Sequence, residues 1–169
     1  MRHLIDFGDL SRAEWESLYQ RCSDIMDHPE EFMDACRGRV MASLFYEPST
    51  RTNFSFQTAM LRVGGTVFGF ADPRSTSTAK GETLKDTIKM VSGYADVVVM
   101  RNPKEGAAKA ASLYSDVPVI NAGDGGHMHP TQTTADLTTI TRLRGSVDGL
   151  SVGLCGDLKN GRTVHSLIK

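Results

Sequence analysis

The chain has 169 residues, with 19 basic and 20 acidic side chains and a net charge of −1. This length suits one domain, or one domain and the start of another. The charge balance disfavours nucleic acid as a partner, and no apolar run approaches the roughly 20 residues of a membrane span. No signal-peptide pattern is visible, and Cys22, Cys36 and Cys155 have neither metal nor disulfide spacing. We therefore expect a cytoplasmic protein with reduced thiols.

Apolar runs and helical repeats alternate along the chain. A capping box, Ser11 with Glu14, predicts the start of a first helix. Short continuous apolar runs predict buried strands, and helical periodicity predicts the helices between them. The strands are expected at 40–46, 66–70, 97–100, 117–120 and 151–155, and the later helices at 52–63, from 84, at 105–114, at 130–144 and from 163.

This alternation predicts an α/β fold with a parallel sheet flanked by helices. The pattern does not decide whether the fifth strand joins the first four or opens a second domain. The best candidate for a boundary is the segment 145–149, which is rich in glycine.

Polar and basic groups follow every predicted strand. In parallel sheets the carboxyl ends of the strands share one edge, where ligands bind. We therefore expect these groups to meet in a single pocket. They are Ser49, Thr50, Arg51 and Thr52 after the first strand, Lys80 after the second, Arg101 after the third, His127, His129 and Gln132 after the fourth, and Lys159 and Arg162 after the fifth.

The turn from Ser49 to Thr52 precedes a predicted helix. Free N–H groups and the helix dipole favour an anion there. The hydroxyl groups can donate to phosphate oxygens, and Arg51 can bind two of them at once. The turn thus predicts a site for a phosphoryl group, with Glu47 orienting Arg51 or another cation.

Each of these residues also has a purely structural reading. Ser49 could be an ordinary helix cap and Arg101 an edge residue whose charge reaches solvent. His127 and His129 could bind a metal, but few further ligands are near in sequence, and we expect none. Residues 156–163 resemble a P-loop with Arg162 in the place of its lysine, which weakens a nucleotide-binding reading.

Five segments resemble the aspartate and ornithine carbamoyltransferase family, and they favour its aspartate branch. The resemblance runs in order from Val40 to Lys169. The segments are FYEPSTRTNFSF, KGETLKDT, VVVMRNP, INAGDGGHMHPTQ and GDLKNGRTVHSL.

The resemblance implies a domain for carbamoyl phosphate at 1–146, built on a four-stranded parallel sheet. It implies that 147–169 begin a truncated second α/β domain that binds aspartate. Arg162 would bind a carboxylate of L-aspartate. The groups expected to bind carbamoyl phosphate are Ser49, Thr50, Arg51, Thr52, Arg101, His129 and Gln132, of which Arg51, Thr52, Arg101 and His129 would be catalytic.

The reaction implied is transfer of the carbamoyl group to the amino group of L-aspartate, a step of pyrimidine biosynthesis, without metal or cofactor. The resemblance also implies a homotrimer in which Lys80 reaches the neighbouring subunit's site. A serine usually lies four residues before that lysine. Here Thr76 has that place with Ser77 beside it, and either hydroxyl could serve. Whether a regulatory chain or a fused pathway enzyme accompanies the chain stays open.

Since only the start of the second domain is present, we expect this chain to bind carbamoyl phosphate but to be inactive alone. Val152, Leu154, Leu167 and Ile168 are expected to be loosely held. Two other functions are considered: a carbamoyltransferase for another amine such as ornithine, and a non-catalytic module for phosphate binding or assembly.

Overall fold

A computed structural model describes residues 1–169. None of its helices is both long and apolar enough to cross a membrane. The strands are β1 (Val40–Phe45), β2 (Thr66–Phe70), β3 (Val97–Asn102) and β4 (Val119–Asp124), and the helices are α1 (Arg12–Asp27), α2 (Thr50–Arg62), α3 (Leu84–Val91), α4 (Ala107–Tyr114), α5 (Pro130–Arg144) and α6 (Arg162–Leu167).

The four strands form one sheet in the order β2-β1-β3-β4, and every pairing is parallel. This arrangement confirms the predicted α/β fold. Side chains alternate across the central strands, so each face of the sheet has its own apolar cluster. On one face Leu44 and Met100 pack in a cluster with Ile88 of α3, and on the other Phe45 packs in a cluster with Met60 of α2.

Most predicted elements form close to their predicted bounds. The strand at 66–70 and the helix at 130–144 match. The capping box between Ser11 and Glu14 is formed in both directions. Helix α2 begins at Thr50, two residues earlier than predicted, and β4 begins at Val119, two residues later. Both differences concern ends, where caps and tertiary contacts decide more than periodicity does.

The predicted fifth strand at 151–155 is wrong, because these residues form no regular structure. A strand needs a neighbour for its N–H and C=O groups, and no strand of the sheet pairs with this segment. Val152 is 59% exposed and Ile168 is 64% exposed, whereas Leu154 and Leu167 are partly buried.

The outer edge of β4 is covered by the N-terminal segment. Leu4 forms a parallel bridge with Ile120. Its amide donates to Val119, and its carbonyl oxygen accepts from Asn121. The opposite edge of the sheet is β2.

The polar loop after β2 contains two short 3-10 helices, Pro73–Ser75 and Ser77–Lys80. The side chain of Asp72 caps the first, and that of Thr76 caps the second. This loop is therefore built from local hydrogen bonds, and it lines a cleft together with residues of the edge strand β2.

Candidate anion-binding site

A cleft of about 930 Å³ lies at the carboxyl ends of the strands. It brings together groups from the start of α2, the end of β3, the start of α5 and the start of α6, as the convergence of the strands predicts. Its polar lining consists of Ser49, Thr50, Arg51, Thr52, Ser55, Arg101, His129, Thr131, Gln132, Arg162 and Thr163.

The first turn of α2 forms one wall of this cleft. Ser49 occupies the capping position of the helix, but its side chain makes no capping hydrogen bond. The hydroxyl and the first amides of the helix therefore keep donors for a ligand. Arg51 is exposed beside them. The turn thus has the free donors and the cation that suit an anion, and Ser49 does not act as a side-chain cap.

A buried polar contact attaches α2 to the central strand. Asn53 is 6% exposed, and its amide oxygen accepts hydrogen bonds from Ser43 Oγ at 2.8 Å and from Gln57 Nε2 at 2.7 Å. A buried carbonyl that is satisfied twice resists displacement. Asn53 thus fixes the turn that carries Arg51 and Thr52 relative to β1.

Glu47 holds two cations on one carboxylate oxygen. Arg101 Nε donates to Glu47 Oε1 at 2.6 Å, and Arg162 Nη1 lies 3.1 Å from the same atom. The Arg162 contact is an ion pair without hydrogen-bond alignment, because this buried nitrogen has no hydrogen-bond partner. Arg101 Nη1 also lies 3.5 Å from Thr52 Oγ1. One acid thus keeps two guanidinium groups at the same wall.

Gly123 of β4 leaves the space that Arg162 occupies. Its φ is +118°, and a Cβ placed there would lie 3.1 Å from Arg162 Nη1. A side chain is disfavoured by both the backbone conformation and the close approach.

His129 is buried at the floor of the cleft. Its burial, with the positive charges of Arg101 and Arg162, lowers the pKa of the imidazole from 6.5 to about 4. The ring is therefore neutral at physiological pH. Its backbone amide donates to Ser166 Oγ of α6 at 2.6 Å.

Gln132 lies in the first turn of α5 and donates from Nε2 to Asp136 at 2.9 Å. This bond leaves the side-chain carbonyl oxygen of Gln132 as an acceptor.

The other predicted residues lie elsewhere. Thr76, Ser77 and Lys80 line a separate cleft of about 710 Å³ beside β2. His127 does not join His129: it is exposed, and its Nδ1 lies 3.5 Å from Asp124. Lys159 is exposed on the loop before α6.

Sequence reasoning missed several residues of the cleft. Ser55, Thr131 and Thr163 line it, and Asn53 supports it from below. Ser55 follows Thr52 and Arg51 by three and four residues on α2, spacings that share a helix face, so helical spacing could have found it; Thr131 and Thr163 had no such signal. The role of Asn53 had no such signal.

The parallel sheet, with cations, hydroxyl groups and a helix N-terminus at one cleft, defines an anion-binding α/β domain. The chain belongs to the aspartate/ornithine carbamoyltransferase family: residues 2–142 match its carbamoyl-P binding domain.

Individual relatives agree with this placement. The chain is 57% identical over 168 residues to an aspartate carbamoyltransferase catalytic subunit of Clostridium perfringens and 59% identical to that of Clostridium acetobutylicum. Each match covers 99% of this chain and 55% of the relative. The chain thus spans about half the length of the curated relatives that it matches.

Solved structures show the same fold. Aspartate transcarbamoylase of Trypanosoma cruzi, in complex with carbamoyl phosphate and aspartate, superposes with a TM-score of 0.93 at 41% identity. The catalytic subunit from M. jannaschii gives 0.89 at 48% identity. Each alignment covers 99% of this chain and 56% of the other.

Proposed function

We propose that this chain is the carbamoyl-phosphate-binding part of an enzyme that carbamoylates the amino group of L-aspartate, giving N-carbamoyl-L-aspartate and phosphate. The observation that carries the proposal is the single cleft shared by Arg51, Arg101 and His129 at the N-terminus of α2. The names of the relatives favour aspartate over ornithine as the acceptor.

The phosphate of carbamoyl phosphate binds at the first turn of α2 in this proposal. Amides and hydroxyl groups of Ser49, Thr50 and Thr52 donate to its oxygens, and Arg51 supplies charge and a fork of two donors. These groups stabilise the leaving phosphate as negative charge grows on it. Binding and catalysis therefore draw on the same contacts.

The carbamoyl group lies against the floor of the cleft. Its oxygen accepts from Arg101, Thr52 and His129, and its nitrogen donates to the carbonyl oxygen of Gln132. Attack by the amino group of aspartate puts negative charge on the carbamoyl oxygen, and preorganised donors stabilise that charge by a few kcal/mol, about 3 for a well-placed donor. Because His129 is neutral, it donates a hydrogen bond there and does not act as a general acid.

Arg162 binds a carboxylate of aspartate in this proposal. Its Nη1 is buried and has no hydrogen-bond partner, although Glu47 lies beside it. A guanidinium group with an unused donor is well suited to a bidentate carboxylate. Because the second substrate carries its own nucleophile, holding the two substrates together accounts for much of the rate.

Lys80 is proposed to enter the site of a neighbouring subunit within a homotrimer. Lys80 is exposed and does not line the main cleft of its own chain, which supports this reading. Thr76 uses its hydroxyl to donate to Pro73 and to accept from Thr78. Ser77 is exposed and its hydroxyl takes part in no such bond. We therefore assign the accompanying hydroxyl to Ser77.

The domain limits stay part of the proposal, with 1–146 for carbamoyl phosphate and 147–169 for the start of an aspartate domain. The 169-residue chain should bind the phosphate ligand and turn over little. A regulatory chain or a fused pyrimidine-pathway enzyme would be a further partner. A cytoplasmic location is supported by three unpaired cysteines, which are typical of a reducing compartment.

Titration calorimetry with phosphate and with carbamoyl phosphate tests the binding part. Arg51→Ala should weaken both by at least ~1.5 kcal/mol, the scale of a charged hydrogen bond. Arg62→Ala is the matched control, because Arg62 lies in the last turn of the same helix. If Arg51→Ala binds both ligands as tightly as Arg62→Ala does, the binding proposal fails and only the alternative of a non-catalytic assembly module remains. Assays of the whole protein with aspartate and with ornithine decide the acceptor.

A further inference from the structure

His165 of α6 connects two loops through both of its ring nitrogens. Nδ1 lies 2.8 Å from the carbonyl oxygen of Gly126, and Nε2 lies 3.0 Å from that of Leu158. Gly126 belongs to the loop between β4 and His129. Leu158 belongs to the loop that leads to Arg162. The imidazole therefore spans the two loops that deliver these cleft residues.

The partners of the His165 ring decide how many protons the ring must carry to bond to both of them. Both are carbonyl oxygens, which only accept hydrogen bonds. A neutral imidazole can donate from one nitrogen, so its other lone pair would face an oxygen lone pair. Only the imidazolium form donates to both. The two contacts as they stand fit a cation.

The charges around the bridge also suit a cation. Asp157, in the same loop as Leu158, interacts electrostatically with His165. Glu105 lies beside Gly126, its carboxylate oxygen being 3.5 Å from where a Cβ would stand. Arg162, one turn earlier in α6, is the nearby like charge, and it is paired with Glu47. Asp157 is thus the acid that interacts with the ring, and Glu105 lies next to the Gly126 end of the bridge.

A second contact joins the loop of Gly126 to α6. The amide of His129 donates to Ser166 Oγ, and Ser166 is fully buried. This second contact lies one residue from His165 and fixes His129 but not the loop of Leu158. Loss of one imidazole bond would therefore loosen one loop while α6 stays in place.

We propose that His165 is a positioning residue: as an imidazolium it clamps the Leu158 loop to the Gly126 loop and so holds Arg162 and His129 at the anion cleft. It touches no substrate and acts through these two residues. The predicted effect of the clamp on anion affinity rests on the proposed function, whereas the clamp itself does not. The clamp needs a proton on each ring nitrogen, so it is lost when the ring gives one of them up.

Two measurements test the clamp on the 169-residue chain. The first is the ring protonation of His165, read from nitrogen-15 NMR shifts and proton couplings between pH 5.5 and 8.5. The second is the affinity for carbamoyl phosphate, whose carbamoyl oxygen His129 is proposed to bind, over the same range for the wild type, His165→Gln and the control His28→Gln, an exposed histidine after α1. Comparing each variant with the wild type at equal pH cancels the titration of carbamoyl phosphate itself.

We expect both ring nitrogens to carry protons at pH 5.5, and His165→Gln to bind carbamoyl phosphate more weakly there by about tenfold or more, as for one charged hydrogen bond. The deficit should shrink towards pH 8.5, and His28→Gln should match the wild type throughout. A ring with one proton at pH 5.5, or a deficit that does not change with pH, overturns the clamp.

Failure of the proposed function can be distinguished from failure of the His165 clamp. If the wild-type chain binds no carbamoyl phosphate, that function fails, and the ring measurement still decides the clamp. If His165→Gln does not fold, His165→Arg provides the second variant, because a guanidinium group donates to two carbonyls at any pH in the range. The ratio of its carbamoyl phosphate affinity to that of the wild type should rise towards pH 8.5, because the wild type loses the clamp there and the variant does not.

Discussion

Glu47 Oε1 lies 2.6 Å from Arg101 Nε and serves as the counter-ion of a cation that is 13% exposed at its side chain. The same oxygen lies 3.1 Å from Arg162. Two guanidinium groups can share a small cleft because a carboxylate separates their charges. Glu47 is therefore part of the site, together with Arg101 and Arg162.

Glu47→Gln should reduce the free energy of unfolding by about 2 kcal/mol, because a largely buried cation loses its charged partner. Urea denaturation measures this change. Glu16→Gln is the control: Glu16 pairs with Arg12 at the surface, where an ion pair contributes about 0–1 kcal/mol. Equal losses in the two variants would show that the Glu47 pair has no special weight.

The buried imidazole of His129 makes stability depend on pH. Its pKa is about 4 when folded and 6.5 otherwise, so the unfolded chain binds more protons between these values. Stability should therefore fall as the pH drops from 6.5 to 4, by about 3 kcal/mol at most. Chemical denaturation at several pH values measures it, and His129→Gln should flatten the curve in this window.

A bound anion should change the same titration. Phosphate near His129 offsets the charges of Arg101 and Arg162, which help to lower the pKa. The pKa of His129, followed by NMR, should rise when phosphate is added. A pKa that stays at its value in the free chain would place the anion away from this wall of the cleft.

Gly123→Ala should disturb Arg162 in addition to straining the backbone. Gly156→Ala is a matched control, because Gly156 has a similar φ of +125° but open space around it. We expect Gly123→Ala to cost roughly 1 kcal/mol more stability than the control, as overpacking does, and to raise the aspartate concentration that the whole protein needs for half-maximal activity. If the two variants behave alike in both measurements, the contact with Arg162 has no role.

The two hydroxyl groups before Lys80 should separate in function. Thr76→Val removes the side chain that caps a 3-10 helix and should cost about 1 kcal/mol of stability. Ser77→Ala should change stability by less than about 0.5 kcal/mol but lower carbamoyl transfer in the whole, assembled protein. Activity that falls only with Thr76→Val at matched stability would reverse the assignment.

The sequence predicts the sheet well because the central strands are continuous apolar runs, such as Val97–Met100, that can only be buried on both faces. It also predicts the main cleft, since parallel strands bring Arg51, Arg101 and His129 to one edge. At 151–155 the same reasoning fails. A local apolar pattern cannot say whether a partner strand exists, and there is none.

The contacts inside the cleft were beyond the sequence for another reason. Glu47 and Arg162 are far apart along the chain, and their contact depends on the path of two loops. Asn53 is polar on a helix, and only the position of Ser43 on β1 shows that it points inward. The two bonds of His165 likewise require knowing where Gly126 and Leu158 lie.

The bridge between Leu4 and Ile120 has a practical consequence for handling the protein. Three residues of the N-terminal arm occupy hydrogen-bonding positions along one border of β4: Leu4 through its backbone, His3 as acceptor for the Val119 amide and Ile5 as acceptor for the Asn121 side chain. Trimming the first five residues, or pulling them away with a fused tag, would leave that border free to recruit strands from other molecules. Preparations altered at this end should then self-associate more readily, even with an intact cleft.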